Sequence, residues 1–227
     1  MFQLSLQLTP PPDAFASQVQ QLAINHLTAL SSAALAPSNP LYPLYQYGLG
    51  LEVHRYLQAM GGEQGLEVEL LLALDALDPS KVLGFALYLP VVGAADACTL
   101  LYLAVLPSHR CQGIGRALLG GVIARYPHTE AACAVSVLGW FEAQGWHVLG
   151  ARGPQVLMNT RHTRTLGNTR LLDVAPIYRT VEVQQIHAYL LKQHGRKAMI
   201  EAEKQRDYRL DQLERHAAQQ ARARLGE

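Results

Sequence analysis

The segment Leu103-Ala104-Val105-Leu106-Pro107-Ser108-His109-Arg110-Cys111-Gln112-Gly113-Ile114-Gly115-Arg116-Ala117-Leu118-Leu119 constrains this chain more than any other. An apolar run ends at a proline, a short polar stretch follows, and an Arg-x-x-Gly-x-Gly turn opens an amphipathic helix. Upstream, Cys98 to Val105 is short and apolar enough for a buried strand. Downstream, Ile114, Ala117, Leu118, Gly121 and Val122 repeat with the spacing of one helix face. A strand, a glycine turn and a helix start in that order form an anion site, because the first-turn N–H groups and the helix dipole point at the turn. Gly113 and Gly115 lack Cβ atoms and let backbone come close to a ligand. The segment predicts a phosphate-containing ligand.

Further on, Trp140-Phe141-Glu142-Ala143-Gln144-Gly145-Trp146 reads as a short helix closed by a glycine and an aromatic residue. With the Val105-Leu106-Pro107 strand end and the Arg110-x-x-Gly113-x-Gly115 turn, it resembles the GNAT superfamily of N-acetyltransferases. The specific matches span Leu103 to Trp146, and the order of elements extends the resemblance over residues 1–160. The resemblance implies a mixed, mostly antiparallel α/β (α+β) sheet flanked by helices, with acetyl-CoA as cosubstrate. It implies that Leu103, Ala104 and Val105 pair with the pantetheine arm beside a strand bulge near Val105. It places the pyrophosphate on backbone amides of Cys111, Gln112, Gly113, Ile114, Gly115 and Arg116, with Arg110 and Arg116 in reach of phosphate. Phe141 falls where the family often has a tyrosine that protonates the departing thiolate, and it has no proton to give.

The catalytic residues stay unassigned at this point. Tyr102 is on the cofactor strand, and His109 sits at the loop and faces solvent. Glu52, His54, Glu67 and Glu69 lie on neighbouring elements, where each could border an acceptor pocket but is more often a solvated surface residue. Tyr42, Tyr45 and Tyr47 fall between the first two helices, on what the resemblance makes the acceptor side. Two functions follow. One is an acetyltransferase acting on a small-molecule or peptide amine by direct attack in a ternary complex. The other is an acyl-CoA-binding sensor or scaffold with weak or no catalysis, working through its C-terminal helices.

Along the chain, a strand is predicted over 3–8, a helix capped by Asp13 running to Leu30, a second helix over 49–60, and strands near Glu67–Leu72 and over 82–92. The domain reading is 1–160 for the transferase-like unit, 161–179 for a basic linker, and 180–227 for a helical extension. In that extension Val183, Ile186, Tyr189 and Leu190, then Ile200, Tyr208, Leu213 and Ala217, are the apolar positions. It reads as helices packed back on the domain, a homodimerisation arm, or a contact for another protein. A net charge of +1 in 227 residues gives no footprint for nucleic acid or anionic membrane. The three cysteines, Cys98, Cys111 and Cys133, have no metal-ligand spacing and read as reduced thiols. No basic leader precedes an apolar run, so the expected location is the cytoplasm, with no metal and no membrane span.

Overall fold

Three consecutive stretches, Leu70–Leu74, Val82–Leu89 and Ala97–Val105, are apolar on both alternating faces, the pattern of strands covered on both sides. In the computed structural model, which describes residues 1–62, 65–165 and 167–226, they form the centre of a seven-stranded sheet. Its strands are β1 (Phe2–Gln7), β2 (Glu69–Asp75), β3 (Val82–Val91), β4 (Ala94–Val105), β5 (His128–Ala134), β6 (His147–Arg152) and β7 (Gln155–Asn159). The order is β1-β2-β3-β4-β5-β7-β6, and β4–β5 is its parallel pair among antiparallel neighbours. Parallel neighbours need a crossover, and α4 (Ile114–Arg125) supplies it.

The two faces bury different partners. Leu70, Leu72, Phe85, Leu87, Tyr102 and Ala104 join Val19, Val53 and Tyr56 of helices α1 (Asp13–Asn25) and α3 (Tyr42–Gln58). Leu71, Ala86, Tyr88, Leu100 and Val105 meet Leu118 and Val122 of α4, with Phe141 and Trp146. Phe141 lies on the short helix α5 (Leu138–Glu142).

Helix boundaries depart from expectation where side chains compete with the backbone. Asp13 is the first residue of α1, not its cap; Pro12 holds the cap position with no side-chain hydrogen bond. The helix breaks at His26, whose Nδ1 lies 2.7 Å from the Leu22 carbonyl, and only the single turn α2 (Leu27–Leu30) follows. The second long helix begins at Tyr42 instead of Leu49, with Pro43 in its first turn, where a missing N–H costs nothing. The tyrosines Tyr42, Tyr45 and Tyr47 are therefore helical, not part of a preceding loop. Glu67 lies outside β2, which starts at Glu69.

The helices α6 (Val181–His194) and α7 (Arg196–Leu225) pack back on the same body. Met199 and Ala202 of α7 share a cluster with Leu35, Leu41 and Leu44, and Ala217 reaches the α4 face of the sheet. Asn39 donates to the Ala202 carbonyl at 3.0 Å, and Arg224 pairs with Glu142 at 2.5 Å. The apolar face differs from the expected one. Tyr189 and Tyr208 are exposed, and the buried positions of α7 are Met199, Ala202, Ala217 and Ala221, mostly small residues that let the helix lie close.

An ion pair between a buried carboxylate and an exposed guanidinium orients α4. Glu69 accepts from Arg125 Nε at 2.6 Å and Nη2 at 2.9 Å, and from the Tyr126 hydroxyl at 2.8 Å. Burial raises the Glu69 carboxyl, but these donors outweigh it and hold the pKa below the ordinary value. A depressed carboxyl stabilises the fold above its unfolded pKa and loses that contribution as pH falls through the folded one. Glu69→Gln is expected to lower stability by about 1.5–3 kcal/mol at neutral pH. Denaturant unfolding should show this gap narrowing below pH 4.5, the ordinary value for this group. Equal stability at pH 7 would leave α4 held by apolar packing alone.

Candidate active site

The parallel pair β4–β5 is joined only from Ala97↔His128 to Leu100↔Ala131. Beyond that register β4 continues through Val105 on β3 alone, while β5 continues on β7. The two strands therefore part toward their C-terminal ends, and the β4 edge from Leu101 to Val105 has no strand beside it. Backbone groups on such an edge are free to pair with an extended ligand. Leu103, Ala104 and Val105, the positions expected to pair with pantetheine, lie on this edge.

The bulge sits elsewhere than expected. Leu87 pairs with Tyr102 and Tyr88 with Leu100, so the extra residue is Leu101, not a position near Val105. Its effect is visible in the packing. Leu100 faces the α4 side, then Leu101 and Tyr102 both face the α1–α3 side, and alternation resumes with Leu103 and Ala104. A bulge re-aims side chains in just this way. Strict alternation from Leu100 would have turned Tyr102 to the opposite face.

At the end of β4 a single 3-10 turn (Pro107–His109) leads into the glycine turn. Cys111 has φ 61° and Gly113 φ 82°, both left-handed. At Gly113 that backbone needs glycine, and nothing lies within 4 Å of where a Cβ would stand. The turn ends as the N-cap of α4, where no side chain accepts from the first-turn amides. The backbone N–H groups of 113–116 thus have no side-chain cap at the positive end of a 12-residue helix. Arg110 donates through Nε to the Val105 carbonyl at 3.4 Å, which ties the turn to the strand edge. Arg110 and Arg116 are exposed, and among the described residues neither is in an ion pair.

Phe141 is 7% exposed and stands edge-on between Trp140 and Trp146, each 4.9 Å away by ring centroid. Its ring is part of the sheet core. Trp140 is the aromatic residue bordering the turn: its Cζ2 lies 3.6 Å from the Cβ position of Gly115.

A carboxylate and a phenol meet across the bulge. The Tyr102 hydroxyl donates to Glu52 Oε1 at 2.7 Å. Burial pushes the Glu52 carboxyl above its ordinary pKa, and the Tyr102 hydrogen bond offsets this only in part. Burial, followed by the charge of Glu52, raises the Tyr102 phenol. Among the other candidates, Glu69 is committed to Arg125, and His109 is bonded to Ser108 at 2.9 Å. Cys98 and Cys133 are buried, each with its pKa pushed up to about 12 by burial.

The expected basic linker is anchored to the sheet instead of solvated throughout. Arg161 pairs with Asp96 at 3.0 Å, Thr169 and Thr99 hydroxyls meet at 2.6 Å, and the Leu172 amide donates to the Tyr56 hydroxyl. Among the described residues no helix is long and apolar enough to cross a membrane.

Comparison with known proteins agrees with this geometry. Residues 43–144 match the Acetyltransferase (GNAT) family. No curated protein matches in sequence. Among solved structures, the PaiA N-acetyltransferase of Thermoplasma acidophilum in complex with coenzyme A superposes with a TM-score of 0.53 at 13% identity, covering 70% of this chain and 99% of that one. An acyl-CoA N-acyltransferase from Pseudomonas aeruginosa has 10% identity and a TM-score of 0.47, covering 71% and 100%. Over residues 43–144 the chain is similar to the Acetyltransferase (GNAT) family, and its sheet shares the fold of the Thermoplasma acidophilum structure.

Trp140 offers a direct reading of the turn. A ligand on the 113–116 amides should change its fluorescence, because its ring is against Gly115 while Trp146 is buried. Titration with coenzyme A should give a saturable change that Trp140→Phe removes. An unchanged signal in the Trp140→Phe protein would place the ligand elsewhere.

Proposed function

We propose that the chain transfers the acetyl group of acetyl-CoA to the amine of a small-molecule or peptide acceptor, by direct attack within a ternary complex in the cytoplasm. The observation that carries this reading is the cleft where β4 leaves β5, with the uncapped N-terminus of α4 at its mouth. The residues present fit a CoA thioester. The free edge at Leu103, Ala104 and Val105 suits the amide-bearing pantetheine arm. Backbone amides of Cys111, Gln112, Gly113, Ile114, Gly115 and Arg116 suit the pyrophosphate, with Arg110 and Arg116 as charge-assisted donors. Acyl-CoA supplies an activated carbonyl; in this reading a backbone N–H at the Leu101 bulge polarises it, an oxyanion role typically worth ~2.7–4 kcal/mol.

Residues 1–160 form the transferase domain in this reading, 161–179 a linker and 180–227 a helical extension. Phe141 donates no proton to the thiolate; water at the open cleft takes that part. The alternative, an acyl-CoA sensor without chemistry, does not require a carboxylate and phenol paired beside the cleft. The Glu52–Tyr102 pair favours the enzyme.

Acetyl-CoA incubated with a panel of amines and assayed for free thiol tests the activity. Gly113→Val tests the site. A β-branched residue at φ 82° strains the turn, and its methyls enter the space the phosphates need. Calorimetry should show CoA affinity down at least about tenfold, roughly 1.4 kcal/mol, with the fold retained. Unchanged affinity would return Gly113 to a purely conformational role.

A further inference from the structure

Gly48, Glu52 and Tyr56 stand four residues apart and so form one ridge of α3. Three other elements meet this ridge. Tyr102 reaches it from β4 through its bond to Glu52. Tyr178, on the 3-10 turn Ala175–Arg179, rests its hydroxyl 2.9 Å from where a Gly48 Cβ would stand, a contact that any side chain there would block. Tyr45 packs on Tyr178 with ring centroids 5.5 Å apart, and its own hydroxyl accepts from Arg206 of α7 at 2.7 Å. The Tyr56 hydroxyl accepts from the Leu172 amide at 3.2 Å. A carboxylate is thus surrounded by phenols on the side of β4 to which the bulge turns Tyr102.

Glu52 has no counterion. Among the described residues the ion pairs use Glu69, Glu130, Asp96, Asp207, Asp211 and Glu142, and none uses Glu52. Arg55, one turn on along its own helix, does not pair with it, nor does His54. Its Oε1 is taken by Tyr102. Its second oxygen has no hydrogen bond and is not a buried orphan, since Trp146 Nε1 is the one such atom among the described residues; that oxygen reaches solvent. A partly desolvated carboxylate with one free oxygen and aromatic walls is a site for a cation, which gains both an ion pair and ring-face attraction.

Resting on the transferase reading above, we propose that the acceptor enters as an alkylammonium ion, pairs with the free oxygen of Glu52 beside Tyr102 and Tyr178, and gives its proton to that carboxylate. The freed nitrogen lone pair then forms the C–N bond to the thioester carbonyl of acyl-CoA. The C–S bond breaks, its electrons leave on the CoA thiolate, and the second nitrogen proton neutralises that thiolate through water. Glu52 returns the first proton to solvent. The products are the amide, CoA thiol and one proton.

The site imposes a pH signature. The groups facing Glu52 are phenols: Tyr102 from β4, Tyr56 from α3, and Tyr178 from the 3-10 turn. Burial raises all three, the latter two to about 12, so they stay neutral at working pH. Burial also raises Glu52 itself. Activity on amines should therefore fall on an acidic limb lying above the ordinary carboxylate value, where Glu52 becomes protonated.

The test uses the full-length protein with acetyl-CoA and n-butylamine, putrescine and phenethylamine, with n-butanol as the uncharged control, read by thiol release. The amines should turn over and butanol should not. Glu52→Gln should lower kcat/KM by about 10²-fold or more and remove the acidic limb, while CoA affinity by calorimetry stays within about twofold. Tyr102→Phe removes a hydrogen bond that lowers the Glu52 pKa, so its acidic limb should move to higher pH with the fold intact. Glu52→Gln protein that keeps its turnover and its acidic limb would overturn the proposal and leave the transferase reading standing. So would wild-type protein that binds CoA yet acetylates none of the three amines. Wild-type protein that binds no CoA would sink the transferase reading and this proposal with it.

Discussion

The proposed function depends on two parallel strands that stop pairing. β4 and β5 share four residue pairs and then part, because β4 stays on β3 while β5 follows β7. The partition leaves one strand edge unsatisfied in the middle of a sheet, a position where unpaired backbone is normally costly. A ligand with its own amide groups resolves that cost. The crossover helix between the two strands begins at the mouth of the same gap, so the proposed phosphate and strand-edge contacts are adjacent.

The Leu101 bulge adds the second requirement. One extra residue rotates the end of β4 so that Tyr102 leaves the α4 face and meets Glu52 on α3. The bulge thereby sets the Glu52–Tyr102 pair, the acid–base pair of the proposal, beside the strand whose edge the parting of β4 and β5 leaves free. The Glu69–Arg125 pair contributes at a distance, fixing the C-terminal end of α4 on β2 and so the direction in which its N-terminus points. The C-terminal helices complete the frame: Arg206 of α7 holds Tyr45, which packs on Tyr178.

The strand, glycine turn and helix on which cofactor binding is proposed were legible in the sequence and the Glu52–Tyr102 pair was not, for definite reasons. The glycine turn is local: strand end, Gly113, Gly115 and the apolar stripe of α4 are contiguous, and the structure assembles them in that order. The Glu52–Tyr102 pair spans 50 residues and depends on a bulge that no propensity marks in the apolar run Thr99–Val105. The one available hint was Glu52 itself, a carboxylate among Leu51, Val53 and Tyr56 on a mostly buried helix. The tyrosine segment was misplaced because Pro43 reads as a breaker, whereas in a first turn it starts a helix. The seating of α7 was hidden for another reason: alanines at 202, 217 and 221 bury a face that a search for large apolar residues does not see.

The central claim is that the unpaired β4 edge and the α4 N-terminus form one binding surface. Amide hydrogen exchange with and without coenzyme A measures it residue by residue. The account predicts new protection at amides within 101–105 and 113–116 together, with the β1 and β2 amides unchanged. Protection confined to the glycine turn, or absent from both segments at saturating ligand, would contradict it.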